Sequence, residues 1–326
     1  MAFESGQIRT LVTRLAAIVG GLVLLSLLPG FVDAYTLRIA TGALMWAGLA
    51  CAWNIVGGYA GYISFGHSAF FGIGAYTTAI LMQSGIGAPF FVTLIPAIAV
   101  AVVVAVIIGG PTMRLRGAYF AIATWAFAEM LMQLVTVVDF TGGTAGLSLP
   151  AYLNEFFFYY TMLAATAASF LGVWYLIEHT RFGFRLKALR DHEPAAEAMG
   201  IRTNLVKVQS FALSAAITAL FGSVYAYWTT FIDPHSVMGP EITDQMVVMA
   251  LLGGLGTIWG PALGGVLLWV VNRYIWATFG DTVIYLPILG LIIALVVLFL
   301  PNGLISLLKG GSERGHELIS RIIRKL

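Results

Sequence analysis

The sequence predicts an all-α polytopic membrane protein, and three observations carry that prediction. Apolar runs of membrane-spanning length recur from end to end of the 326 residues. Hydrophobic residues make up 60% of the chain and charged residues only 10%, too few to cover a soluble surface. Mean hydropathy is +0.92, and the period-2 alternation of a barrel is absent.

About ten hydrophobic segments follow in order, near 15–33, 38–56, 63–83, 90–110, 117–138, 159–177 and 207–230, then a short piece at 244–253, then 260–278 and 283–300. The first follows Arg9 and Arg14 and reads as an uncleaved helix, although Val32-Asp33-Ala34 imitates a signal-peptidase site. Cys51, the single cysteine, falls inside an apolar run and reads as a small buried hydrophobe; it builds neither a disulfide nor a metal cluster.

Charge fixes the orientation. Arg114 and Arg116 occupy one connection, and Arg181, Arg185, Lys187, Arg190, Arg202 and Lys207 another. Lys309, Arg314, Arg321, Arg324 and Lys325 fill the tail at 302–326. The intervening loops are neutral or acidic, so both termini and the loop at 178–206 are expected in the cytoplasm. Both ends inside requires an even number of passes, and the 244–253 piece must count as one. Ten residues of helix rise about 15 Å, half a hydrocarbon core of about 30 Å. It is therefore a broken helix, either re-entrant or completing a crossing.

Two glycine-rich interruptions break the apolar pattern. "NIVGGYAGYISFGHSAFFGIGAY" (Asn54 to Tyr76) holds six glycines and no formal charge, and "MALLGGLGTIWGPALGGVLLWVV" (Met249 to Val271) echoes it. Gly57 and Gly58 match Gly253 and Gly254, about 200 residues on. Non-helical backbone at membrane depth survives only inside protein or along a wet cavity. Each glycine alone is explained by helix packing; the paired breaks together point to an internal repeat and a substrate path.

Polar residues mark the same path. Ser64, His67 and Ser68 fall at i, i+3 and i+4 and would share one helix face with Phe71. Hydroxyls, an imidazole and an aromatic ring suit a small zwitterion or a neutral amide. The alternative is serines bonding back to their own helix and His67 capping a neighbour. Glu129, with Gln133 four residues on, is a mid-span carboxylate, expensive enough to imply a role in substrate contact or as a clamp between spans.

The 178–206 loop reads as two short helices. The first is basic with interleaved Phe182, Phe184, Leu186 and Leu189; the second starts at Pro194, runs through alanines and stops at Gly200. Such a segment either rests on lipid headgroups or offers a small-residue knob to a protein groove.

The order Ala195-Ala196-x-x-x-Gly200 resembles the EAA-type coupling loop of ABC importer permeases. The wider pattern resembles the branched-chain (hydrophobic) amino acid permease family: the two glycine-rich stretches, "LRGAYFAIATWAFAE", "FTGGTAGL" and "RFGFRLKALRDHEPAAEAMGI". The resemblance implies one transmembrane permease domain over 1–326 with an importer permease fold. It also implies a paralogous permease, two ATP-hydrolysing subunits and a periplasmic solute-binding protein as partners, in the bacterial inner membrane. Arg185, Arg190, Glu193, Ala195, Ala196, Glu197 and Gly200 would then couple to the ATPase. The glutamate that opens this loop motif in general ABC permeases would align with Pro194, which leaves the acidic role in docking open between Glu193 and Glu197.

No G-x-x-x-x-G-K-[ST] occurs, so ATP is expected on partner subunits and no cofactor in this chain. Lipid is an expected contact; nucleic acid is not. The substrate expected is a branched-chain or other hydrophobic amino acid, with urea or a short amide as the alternative. An ion-coupled secondary transporter would want more intramembrane acids than Glu129. An enzyme would want paired carboxylates, a metal cluster or an activated nucleophile, and none falls on a common face.

Overall fold

The computed structural model describes residues 20–83 and 87–279 and a few positions between 287 and 305. Most of the expected first span's start, the segment near 283–300 and nearly all of the basic tail lie outside the described residues.

A short apolar helix α1 (Gly20–Gly30) leads into α2 (Ala34–Asn54), which ends in a π turn, Ile55–Tyr59. Then come α3 (His67–Gln83), α4 (Phe90–Thr112), α5 (Ala118–Val137) and α6 (Glu155–His179). Two short helices follow, α7 (Arg181–Asp191) and α8 (Glu193–Ala198), before the long α9 (Thr203–Thr229). The described chain closes with α10 (Pro234–Met238), α11 (Pro240–Gly253) and α12 (Trp259–Phe279). Two-residue strands β1 (Leu147–Ser148) and β2 (Phe231–Ile232) pair antiparallel and tie the loop before α6 to the end of α9.

Among the described residues, five helices are long and apolar enough to cross a membrane: α2 with its π turn, α4, α5, α6 and α9. At 17 and 14 residues, α3 and α11 are shorter. At about 1.5 Å per residue the 14 residues of α11 span roughly 21 Å, less than a hydrocarbon core.

Helices α2, α3 and α9 form the centre, and small residues let them approach. A methyl on Gly74 would overlap the Ala219 carbonyl, and one on Gly222 the Phe71 carbonyl. The Ser223 hydroxyl donates across the same seam to the Gly74 carbonyl at 3.0 Å. Without a hydrophobic drive between helices in lipid, such close approach supplies the attraction. On the periphery, α4 shows an aliphatic outer face of Val92, Ile95, Val103, Val106 and Ile107, fit for lipid tails. Helix α5 is equally exposed, but its outer side includes Trp125 and Gln133, with Glu129 half-buried among them.

Candidate functional site

The first interruption is longer than the sequence pattern suggests. The expected span from position 63 starts as a helix only at His67, so Ser64 does not share a helical face with His67 and Ser68. Residues 61–66 are irregular, and neighbouring elements bond part of their backbone. Trp53 Nε1 donates to the Ser64 carbonyl at 2.8 Å, Phe65 N–H donates to Thr124 Oγ1 at 3.0 Å, and Gly66 N–H donates to Ser64 Oγ at 3.3 Å. Unpaired backbone at membrane depth costs several kcal/mol per group, and side chains from α2 and α5 prevent that here. The π turn that opens the stretch is a rare irregularity concentrated at functional sites.

The second interruption packs directly against the first. Asn54 accepts a hydrogen bond from Gly256 N–H at 2.9 Å and donates to the Thr257 carbonyl at 2.9 Å. Gly58 faces Gly256 so closely that a Cβ on Gly58 would lie 2.6 Å from the Gly256 nitrogen. Gly256 has φ +69° and Gly254 φ +118°, conformations that favour glycine. Gly57 packs on the Trp53 ring, and Gly253 abuts the Gly260 carbonyl. The four glycines singled out in the sequence thus lie in one neighbourhood. Asn54, which joins the two breaks, was missed; a lone amide just before a double glycine was its signal.

His67, Ser68, Ser64 and Phe71 are all buried. Ser214 donates its hydroxyl proton to the Ala52 carbonyl at 2.6 Å, so His67 Nε2, 2.7 Å from Ser214 Oγ, donates to the serine. The imidazole meets Phe70 and Phe211 edge-on. His67 is a bolt between α3, α9 and α2. Phe71 packs on Tyr225 at 5.3 Å. The Ser68 N–H donates to Thr243 Oγ1 at 2.8 Å, while among the described residues neither its hydroxyl nor His67 Nδ1 has a partner. Ser68, Phe65, Trp125, Ala128, Glu129, Met238 and Pro240 line a tight cleft with no room for a water molecule. There Glu129 accepts a hydrogen bond from Gln133 at 2.8 Å.

The short helices α7 and α8 form a rigid bracket fastened to the body. Glu193 is ion-paired to Lys207, a lysine almost wholly buried at the start of α9. The same carboxylate accepts from Tyr62 Oη at 2.5 Å and lies 3.7 Å from Arg116 Nε. Burial pushes the Glu193 pKa up, but the bonds from Lys207 and Tyr62 and the nearby cations outweigh it, leaving the carboxyl below its ordinary value. Glu193 therefore points inward. Glu197 is exposed and accepts from Thr203 Oγ1 at 2.6 Å. Ala196 is buried, while Ala195, Glu197, Ala198, Met199 and Gly200 are exposed. Arg185 borders a hollow of about 430 Å³ together with Met199, Gly200, Arg202 and Leu205. Arg190 lies across both glycine breaks: a Cβ on Gly256 would overlap its guanidinium, and one on Gly61 would sit 3.4 Å from its Cγ.

The profile of a family described as "Branched-chain amino acid transport system / permease component" matches residues 35–300. The high-affinity branched-chain amino acid transport system permease protein LivM of Escherichia coli is 28% identical, covering 91% of this chain and 77% of that protein. A probable LivM permease of Methanocaldococcus jannaschii is 25% identical over 80% of this chain and 92% of its own. The E. coli permease LivH is 25% identical, covering 79% and 90%. No solved structure matches.

Proposed function

Since the chain belongs to the branched-chain amino acid transport permease family, we propose that it is one of two membrane-spanning subunits of an ATP-driven importer for branched-chain and other hydrophobic amino acids. A paralogous permease completes the path, two ATPase subunits bind and hydrolyse the nucleotide, and a periplasmic binding protein delivers the solute. The chain itself carries no cofactor. Both termini and the 178–206 loop face the cytoplasm of a bacterial inner membrane, following the positive-inside pattern.

One observation carries this reading: Arg190 on the α7–α8 bracket lies beside both glycine breaks, where a side chain on Gly61 or Gly256 would meet it. The bracket presents an exposed small-residue knob, Ala195, Glu197 and Ala198 around the buried Ala196, on a base locked by Glu193 and Lys207. A push on the knob by an ATPase is transmitted through Arg190 to Gly61 and Gly256, where the spans are least regular. Glu129 and Gln133 supply the second support. A carboxylate facing lipid is costly, so the α5 face bearing them is where the paralogous permease closes the path.

The test is ATP-dependent uptake of leucine by proteoliposomes containing the chain, its partner permease, the ATPases and the binding protein. Uptake that requires ATP and all components supports the assignment. Uphill transport by this chain alone on an ion gradient overturns it.

A further inference from the structure

The cleft beside Ser68 holds a group of features that packing does not explain. Ser68 is completely buried, yet its hydroxyl has no partner among the described residues. It sits in the first turn of α3, a 17-residue helix whose leading N–H groups have no partners within the helix. That end carries a partial positive charge and favours an anion. Across the cleft stands Glu129, which accepts a hydrogen bond from Gln133. Phe65, Trp125 and Met238 supply apolar walls between the two ends.

The position of the cleft follows from α11. Gly256, just beyond the end of α11, meets Gly58 beside Arg190, whereas Thr243 near its start bonds the N–H of Ser68. The ten residues from Thr243 to Gly253 rise about 15 Å, half of a hydrocarbon core of about 30 Å. With the Arg190 end at the cytoplasmic surface, the start of α3 lies near mid-bilayer. A helix beginning inside the membrane is how transporters meet the anionic group of a substrate.

We infer that the start of α3 and Glu129 form a half-site for the zwitterionic head of an amino acid in transit. The carboxylate is received by Ser68 Oγ at the positively charged end of α3, where the Ser68 N–H is already held by Thr243 Oγ1. The ammonium pairs with Glu129, which Gln133 orients, and the aliphatic side chain lies against Trp125 and Met238. In this conformation the cleft is too narrow for a water molecule, so the site is closed until the bracket moves. The inference rests on the amino acid reading above and adds that the permease itself, besides any external binding protein, recognises the α-amino acid head.

The test uses the complete importer in proteoliposomes. Glu129→Gln keeps the shape and a partner for Gln133 but removes the charge, so a packing or hydrogen-bonding role would leave leucine uptake near wild type. Loss of one charged hydrogen bond predicts about a tenfold or greater fall. Glu129→Asp should recover part of it. Ser68→Ala, which deletes a single oxygen in a buried site, should also slow uptake. In a Cys51→Ala background, leucine should protect the thiol introduced by Ser68→Cys from small alkylating reagents. Normal uptake by both Glu129→Gln and Ser68→Ala in an importer that works with the native chain overturns the half-site and leaves the importer assignment standing. Absence of amino acid uptake by the native complex overturns the assignment itself. If Glu129→Gln fails to assemble, Ser68→Ala and the thiol protection decide.

Discussion

The side-chain amide of Asn54 clasps the second glycine break from the end of the first helix, binding Gly256 N–H and the Thr257 carbonyl, each at 2.9 Å. Two segments 202 residues apart in sequence are thereby held as one structural unit. The clasp uses donor and acceptor of one amide, so no isosteric side chain except asparagine's own satisfies both partners.

Asn54→Ala leaves a donor and an acceptor of the second break unpaired in a half-buried site. Each unsatisfied group costs about 1–3 kcal/mol, so a drop of the thermal midpoint by several degrees is expected. Thermal unfolding of the purified complex in detergent measures it; an unchanged midpoint would show that the clasp is dispensable. Asn54→Asp retains the bond from Gly256 but sets an anion against the Thr257 carbonyl, and should be no better than the alanine variant.

Gly58→Ala puts a Cβ against Asn54 Oδ1 and the Gly256 nitrogen, and neither can retreat without opening the junction. Transport should fail while the protein still inserts and assembles. Gly172→Ala, where a Cβ meets none of the described residues within 4 Å, is the matched control and should transport normally.

Lys207→Met strips the inward-facing Glu193 of its main partner. Breaking a buried pair by removing one member costs about 3–5 kcal/mol, and replacing both members is often close to neutral. The single variant should therefore expose the 178–206 bracket to trypsin or chymotrypsin, and the Lys207→Met/Glu193→Leu double variant should be less sensitive than either single one. Additive sensitivity would show that the two side chains act independently.

The same latch sets an acid limit. The folded Glu193 carboxyl lies below its ordinary value of 4.5, so its contribution is complete above that value and is lost as pH falls through the lowered one. Proteolysis of the bracket should rise only in strong acid in the native chain. In Glu193→Gln the carboxylate that Lys207 and Tyr62 hold is absent, so cleavage should be fast at every pH tested. A rise already present near neutral pH in the native chain would assign the transition to another group.

Ala195→Trp enlarges the exposed knob without touching the latch. Co-purification with the ATPase subunits should be lost while membrane insertion persists. Retention of the ATPases by this variant would move the docking surface off α8.

Much of this architecture was legible in the chain. The ends of α4, α5, α9 and α12 fall within a few residues of the apolar runs, because a helix in lipid must satisfy its own backbone and so continues as long as the apolar residues do. The shortness of α11 and the two helices of the bracket were equally legible, from length, Pro194 and Gly200. The start of α3 was not. Nothing in the order of residues 61–66 announces that Trp53 and Thr124 will bond a non-helical backbone there, since those partners come from two other elements.

The same division holds for the site. Spacing alone singled out His67, Ser68 and Glu129 and the four glycines of the two breaks. Only the folded chain separated His67, whose Nε2 is bonded to Ser214 and whose ring is enclosed by phenylalanines, from Ser68, which lines the cleft opposite Glu129. Likewise Glu193 reads from sequence as a candidate contact for a partner, and the tertiary structure turns it toward Lys207. Periodicity records which side of its own helix a residue occupies. What that side faces depends on contacts between segments far apart in the chain, and a one-dimensional pattern does not contain them.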